Sequence, residues 1–182
     1  MTLAPTMKEA MLGAIPSLRA FAISLSGNVE RADDLVQETL MRAMAHADSF
    51  EPNTNMPTWL FTILRNLYRS EYRKRRREAE DTDNPYADSP HLQPEQLGRI
   101  DFGEFRASLA KLPHDQREAL LLVGASGFSY EEAAAICECA VGTIKSRVNR
   151  ARTRLTELLS LEDGDFGSDQ PTQAVLSASH HH

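Results

Sequence analysis

The sequence predicts an all-α protein in which two small helical domains are joined by a flexible acidic linker. Apolar residues recur every three or four positions along most of the 182-residue chain, as in amphipathic helices, and strand-like alternation is nearly absent. A segment with three prolines and several acids breaks this period and has no apolar face. We therefore expect a domain over residues 1–78, a linker over 79–100, a second domain over 101–161 and a disordered tail over 162–182.

The first domain opens with two predicted helices. The stretch IPSLRAFAISLSG predicts a helix with Pro16 near its start, where a missing N–H costs nothing, and Gly27 at its end. Asn28 is suited to cap the second helix. That helix carries one apolar stripe, which predicts a buried face formed by Ala32, Val36, Leu40, Ala43, Ala47 and Phe50.

A long third helix combines an apolar first half with a strongly basic second half. It follows the loop EPNTNMP, begins near Pro57 and runs to about Arg77. Seven of the thirteen residues in 65–77 are Arg or Lys, although the whole chain has a net charge of −6. Such a concentration of positive charge indicates an extended, negatively charged partner.

The basic half of this helix has the composition of a surface that binds an opened duplex or a single strand. Four arginines share one face, and three aromatic rings lie near them along the chain: Arg65, Arg69, Arg73 and Arg76, with Trp59, Tyr68 and Tyr72. Phosphates attract the cations, and bases stack on the rings. A solvated helix end and an RNA-binding tail are the alternatives.

The second domain contains a helix-turn-helix pattern. Ser129 and Glu132 form the S-x-x-E capping box of a short helix, and a turn leads from it into the basic helix TIKSRVNRARTRLTELLSL. In this arrangement the second helix enters the major groove of DNA. An exposed basic helix in an ordinary helical bundle is the alternative.

Residue spacing assigns the faces of that basic helix. The inward face is expected to contain Ile144, Val148, Ala151, Leu155 and Leu158. The opposite, outward face contains Ser146, Asn149, Arg150 and Thr153, flanked by Lys145, Arg147, Arg152 and Arg154. Arg and Asn suit bidentate contacts with guanine and adenine, and the flanking cations suit phosphates. The pattern therefore indicates sequence-specific DNA binding.

The composition gives little support to catalysis or to membrane insertion. No nucleophile–base set, Gly-rich phosphate loop or metal-ligand spacing is evident, so we expect no enzyme, no metal and no cofactor. No apolar run is long enough to cross a bilayer, and no secretory signal begins the chain. Cys137 and Cys139 are too close in sequence to staple a fold and are expected to fill the turn of the helix-turn-helix, which favours a cytoplasmic location.

Three stretches resemble the extracytoplasmic-function (ECF) sigma factors of bacteria in order and spacing: DDLVQETLMRA, WLFTILRNLYRSEYRKRRR and LPHDQREALLLVGASGFSYEEAAAICECAVGTIKSRVNRARTRL. The resemblance covers about 150 residues, and GTIKSRVNRAR and LVQE are its most specific parts. Within that family the chain resembles the general-stress sigma factors of Alphaproteobacteria. The resemblance implies a sigma region 2 bundle and a sigma region 4 helix-turn-helix that connect core RNA polymerase to promoter DNA.

The resemblance also implies three sets of site residues. The polymerase-binding set is Asp33, Asp34, Leu35, Gln37 and Glu38. The set that binds the −10 element is Asn66, Arg69, Arg73, Lys74, Arg76 and Arg77. The set that binds the −35 element is Thr143, Lys145, Ser146, Arg147, Asn149 and Arg150. Glu71, where the family more often has Asp, is a conservative departure.

Members of the family are usually held inactive by an anti-sigma factor, which is small and helical in the general-stress branch. A second hypothesis is therefore a sigma-like mimic that sequesters an anti-sigma factor without binding DNA. The lack of a receiver domain after residue 161 and the two intact basic segments favour the sigma factor. A plain helix-turn-helix repressor would leave residues 1–78 unexplained.

Overall fold

A computed structural model of the chain describes residues 5–51, 54–81 and 100–162. Within these ranges seven α-helices follow one another: α1 (Pro5–Ser26), α2 (Val29–Ala45), α3 (Met56–Asp81), α4 (Ile100–Ala110), α5 (His114–Leu120), α6 (Tyr130–Cys137) and α7 (Val141–Glu162). A 3₁₀ turn (Ala47–Ser49) follows α2, and a π-helical turn (Leu121–Ala125) follows α5. None of the helices in these ranges combines the length and the apolarity needed to span a bilayer. Most of the predicted linker and tail lies outside the described residues, and the domain boundaries stay predictions.

Helices α1, α2 and α3 pack against one another as a three-helix bundle. Its core is formed by large apolar side chains that are almost fully buried: Leu18, Phe21, Leu25, Leu35, Leu60, Phe61 and Leu64. The predicted stripe of α2 is buried at Ala32, Val36 and Ala43. Asn28 caps α2 as expected, because its side-chain oxygen accepts a hydrogen bond from the Arg31 N–H at 2.9 Å.

Helix α1 starts earlier than the sequence pattern predicted. It begins at Pro5, so Pro16 lies in its interior and not near its start. An interior proline removes one backbone hydrogen bond. Met11 and Ala14, in the turns before Pro16, are buried in the core, and this packing offsets the lost bond. Gly27 follows the helix with a φ of 68°, a left-handed conformation that suits glycine, as predicted.

Helices α4 to α7 form the second unit, in which α7 contacts α4, α5 and α6. Ile144, Val148 and Ala151 of α7 are completely buried, and Leu155 and Leu158 are half-buried, so the predicted inward face is confirmed. The predicted all-α class with two small helical domains is therefore confirmed as well.

The two units pack on each other, mainly through α3 and α6. We call this contact the domain seam, formed by Phe61, Arg65, Tyr68, His114, Glu118 and Phe128. The rings of Phe61 and Phe128 meet edge to face with centroids 4.8 Å apart. Beside them, Arg65 Nε donates to Glu118 Oε1 at 2.7 Å. The basic helix α3 is thus fixed against the helix-turn-helix unit.

An aromatic stack extends the domain seam. The His114 ring lies against Tyr68 and Tyr72, with centroid distances of 5.2 and 5.3 Å. Burial, together with the positive charge of Arg117, lowers the pKa of His114 to about 4. At neutral pH this imidazole is therefore uncharged.

Candidate nucleic-acid interface

The geometry of the helix-turn-helix is fixed at both ends of α6. At its start, the Ser129 hydroxyl accepts from the Glu132 N–H at 3.1 Å, and the Glu132 carboxylate accepts from the Ser129 N–H at 2.8 Å. The predicted capping box is therefore confirmed. The hydrogen bond from the Ser129 backbone lowers the pKa of Glu132. At the end of α6, Glu138 adopts a left-handed conformation with φ at 53°, which directs the chain into α7.

Helix α7 exposes a polar face beside this turn. Asn149 and Arg150 are exposed, and so is Lys145, whose Nζ lies 5.8 Å from the centroid of the Tyr130 ring. Thr143 and Ser146 are half-buried, and the Ser146 hydroxyl donates to the Thr143 carbonyl at 3.0 Å. The exposed amide and guanidinium groups are free to form the bidentate contacts that read base edges in a major groove.

Arg147 differs from its neighbours because α5 and the turn before α7 both contact its guanidinium. Arg147 Nε lies 3.2 Å from Asp115 Oδ2, and its Nη1 lies 3.9 Å from Cys139 Sγ. Only 22% of the Arg147 side chain is exposed. The residue therefore lies at the edge of the exposed face, and Asp115 determines where its charge is placed. Sequence spacing gave no sign of this contact, since α5 is far from α7 along the chain.

The basic half of α3 forms a second exposed surface. Every member of the predicted −10 set is exposed: Asn66, Arg69, Arg73, Lys74, Arg76 and Arg77. Lys74 Nζ lies 4.0 Å from Glu78, and Arg75 lies 3.7 Å from Glu71, which are weak surface pairs. Residues 66–78 contain six Arg or Lys residues and two acids, so this surface is strongly positive.

Two residues of the predicted surfaces lie in the interior. Arg65 was expected on one basic face with Arg69 and Arg73, but it is 2% exposed and pairs with Glu118. That expectation was wrong because the second unit covers the part of α3 that contains Arg65. Leu35, expected in the polymerase-binding set, is 1% exposed and packs in the core of the bundle. Its side chain supports the exposed face of α2 from inside the bundle, and its membership of the polymerase-binding set stays a prediction.

The rest of the polymerase-binding set lies on the outer face of α2. Asp33, Asp34 and Gln37 are exposed, and Glu38 is half-buried. Arg19 donates to Asp33 at 2.6 Å, and this hydrogen bond lowers the pKa of Asp33.

Two apolar side chains continue this face of α2. Met41 and Met44 are 54% and 49% exposed. Sequence reasoning missed them, although their spacing of four and seven residues from Gln37 placed them beside it on the helix. The outer face of α2 therefore combines acids, an amide and two flexible apolar groups. In the part of the chain that the structure describes, no three His, Cys, Asp or Glu side chains are grouped to hold a metal ion.

Two protein-family models match the chain in the order of its two units. The Sigma-70 region 2 model matches residues 13–78, and the Sigma-70, region 4 model matches residues 102–155. The chain is 64% identical over 180 residues to the ECF RNA polymerase sigma factor EcfG of Rhodopseudomonas palustris (strain TIE-1), covering 98% of this chain and 99% of that protein. The chain belongs to the ECF RNA polymerase sigma factors. The family predicted from the sequence is confirmed.

Other sigma factors are similar over most of this ECF sigma factor. It is 40% identical over 141 residues to SigC of Mycobacterium tuberculosis (strain CDC 1551 / Oshkosh), covering 73% of this chain and 72% of SigC. Among solved structures, RpoE of Bartonella quintana in complex with the anti-sigma factor NepR is 55% identical with a TM-score of 0.78. That match covers 86% of this chain and 98% of RpoE.

A third structure shares the fold alone. The PhyRSL–NepR complex from Sphingomonas sp. Fr1 matches this ECF sigma factor with a TM-score of 0.62 at 24% identity, over 96% of this chain and 98% of that chain. At this identity the likeness concerns the arrangement of helices and not the residues of the exposed faces.

Proposed function

We propose that this sigma factor directs core RNA polymerase to the promoters of stress-response genes and that a small helical anti-sigma factor controls it in the cytoplasm. It acts by binding, and the chemistry of RNA synthesis belongs to the polymerase. The observation that carries the proposal is the exposed polar face of α7, on a helix-turn-helix fixed by a capping box and a left-handed turn. The identity of 64% to an EcfG sigma factor supports it.

The −35 element is assigned to α7. Asn149 and Arg150 are exposed and supply the base contacts, and Lys145 supplies a phosphate contact beside them. Thr143 and Ser146 lie close to the turn, where half-buried hydroxyls are suited to backbone phosphates. Arg147 contributes a fixed positive charge at the edge of this face, since Asp115 restrains it.

The −10 element is assigned to the basic half of α3. A run of exposed cations attracts the phosphates of a separating strand, and the half-buried ring of Tyr72 lies among them as a stacking platform. Asn66 and Arg69 lie nearest the apolar half of the helix and contribute hydrogen-bond donors. Arg73, Lys74, Arg76 and Arg77 continue the surface along the helix.

Core polymerase is assigned to the outer face of α2. Asp33, Asp34, Gln37 and Glu38 give this face its polar contacts. The exposed Met41 and Met44 add apolar area, and flexible methionines adapt well to a partner surface. An anti-sigma partner is supported by RpoE, a relative with 55% identity that was solved with NepR.

Run-off transcription with bacterial core RNA polymerase and a promoter library tests the proposal. With this protein present, transcripts are expected to start at defined sites, and Arg150→Ala is expected to abolish them. Arg154→Ala removes the same charge one turn further along α7 and is expected to weaken all promoters alike. If the polymerase stays silent while the protein still binds a NepR-type anti-sigma protein, the chain is a sigma-like mimic and the proposal fails.

A further inference from the structure

Arg117 of α5 is a buried cation, and no carboxylate of the described residues forms an ion pair with it. It is 7% exposed, and its Nε has no hydrogen-bond partner among the residues that the structure describes. A buried guanidinium is normally paired or hydrogen-bonded, because moving its charge out of water is costly. The buried Arg117 guanidinium is therefore suited to bind a negatively charged group.

The groups beside Arg117 supply no negative charge to it. Arg31 is itself a cation, its Nη2 is buried without a hydrogen-bond partner in the described ranges, and it lies over the Tyr68 ring at 5.2 Å. The buried His114 imidazole is uncharged at neutral pH. The acids nearby are already engaged, since Glu118 is paired with Arg65. Glu71 and Asp115 are paired likewise, with Arg31 and Arg147. Positive charge is thus in excess where α5 meets the first bundle.

A cavity of about 20 Å³ opens beside Arg117, between the end of α1 and helices α4 and α5. Its walls include Ser24 and Gly27 of the first unit and Arg106, Leu109 and Arg117 of the second. Arg106 is exposed and stands at the cavity as a second cation. The carbonyl end of α1 contributes roughly half a negative charge, which is less than two guanidinium groups require.

We propose that this cavity binds a carboxylate group, held between the guanidinium groups of Arg117 and Arg106. The volume admits one oxygen-sized group, so one carboxylate oxygen enters while the other stays at the mouth. Planar carboxylates match guanidinium donors in shape as well as in charge. Because the walls belong to both units, a bound carboxylate bridges α1 to α4 and α5. The inference goes beyond promoter recognition and does not depend on it.

The carboxylate comes either from a small free acid or from an acidic side chain of a bound protein, and two probes distinguish these sources. Sodium acetate represents the free acid. The blocked tripeptide Ala-Glu-Ala represents the side chain, with blocked Ala-Gln-Ala as its uncharged control. Each is titrated into the full chain at constant ionic strength, and the Nε–H resonance of Arg117 is followed by NMR.

A saturable shift with acetate alone assigns the site to a free acid, and a stronger shift with Ala-Glu-Ala assigns it to a protein side chain. Arg106→Gln, an exposed change that leaves the fold intact, is expected to weaken either probe roughly tenfold through loss of one charged contact. Arg154→Gln is the matched control and is expected to change nothing. The proposal is overturned if neither probe shifts the resonance, if Ala-Gln-Ala acts equally well, or if Arg106→Gln has no effect.

Discussion

Arg65 donates a hydrogen bond to Glu118 at 2.7 Å across the boundary between the two domains. The two side chains are 2% and 0% exposed, and Arg65 Nη1 also donates to the Ile136 carbonyl at 3.3 Å. The Cys137 thiol donates to the second Glu118 oxygen at 3.8 Å. Removing the charge of Arg65 or of Glu118 leaves the other charge buried without a partner of opposite sign. The pair therefore couples the packing of the domains to the helix that carries the proposed −10 surface.

Replacing Glu118 by Gln is expected to destabilise the compact form by about 3–5 kcal/mol, because the Arg65 guanidinium then stays buried without a counter-charge. The double variant Arg65→Met, Glu118→Leu removes both charges and is expected to be much closer in stability to the wild type. Urea unfolding measures the free energy, and small-angle X-ray scattering reports whether the domains separate.

The exposed pair of Arg42 and Glu38 provides the control for this prediction. Arg42→Met is expected to change the free energy of unfolding by less than about 1 kcal/mol. If Glu118→Gln costs no more than this control, the buried pair does not hold the domains together.

Acid is expected to weaken the domain seam through His114. Burial lowers the pKa of this imidazole from 6.5 to about 4. Between these values the unfolded chain binds a proton that the folded chain does not. The stabilisation of the folded state by the uncharged imidazole is therefore complete above about pH 6.5 and is lost as the pH falls. The free energy of unfolding is expected to decrease by about 2 kcal/mol between pH 7 and pH 5.

The control for acid sensitivity is His114→Phe, which keeps a ring against Tyr68 and Tyr72 but cannot titrate. Unfolding free energies are measured at pH 7 and pH 5 for both proteins, so that the titration of other groups cancels. An equal loss of stability in the two proteins would contradict the assignment to His114.

The rates of thiol alkylation are expected to show whether the two units are packed together at the domain seam. Burial, together with the negative charge of Glu118, raises the pKa of the Cys137 thiol to about 12. Since the thiolate is the reactive form, iodoacetamide at neutral pH should modify the half-buried Cys139 at least roughly tenfold faster than Cys137. Mass spectrometry gives both rates. Arg65→Met should accelerate modification of Cys137, and equal rates in the wild type would argue that the seam is open.

Sequence reasoning succeeded where the physical cause is local. The 3.6-residue period of α7 identified Ile144 and Val148 as buried and Asn149 and Arg150 as exposed. The capping box at Ser129 was also visible, because it involves residues three positions apart. These features depend on neighbours along one helix, and the sequence displays them directly.

The features that the sequence did not reveal arise from contacts between residues distant in sequence. Arg65 repeats the spacing of the exposed arginines, and only the placement of Glu118, 53 positions later, makes its side of α3 an interior. Leu35 matched a family surface, yet its burial depends on how α1 and α3 pack on α2. Arg147 is likewise oriented by Asp115 of another helix. The helical period shows which residues share a face of a helix, but it does not show which other helix covers that face.

Asp115 is expected to act as a positioning residue for Arg147. Asp115→Asn keeps a side-chain oxygen that can accept from the Gln116 N–H, as Asp115 Oδ1 does at 3.0 Å, but it removes the charge that holds Arg147. The binding free energy for promoter DNA should weaken by about 1 kcal/mol, and similarly for a promoter and for the same promoter with an altered −35 element, because a flanking cation contacts phosphates. Competition binding measures both affinities, and Asp115→Glu should restore them. A loss of thermal stability without a change in affinity would show that the pair is only structural.

The exposed cations of α3 are expected to contact phosphates, so their removal should change the salt dependence of promoter binding. For polymerase holoenzyme on a promoter fragment with an unpaired −10 segment, Arg73→Ala should reduce the slope of log K against log salt concentration by about 0.7. Fluorescence anisotropy between low and physiological salt gives the slope. Lys8→Ala removes an exposed cation of α1, far along the chain from the basic surface, and should leave the slope unchanged. If both variants keep the wild-type slope, Arg73 does not neutralise a phosphate, and the −10 surface must be assigned to other residues.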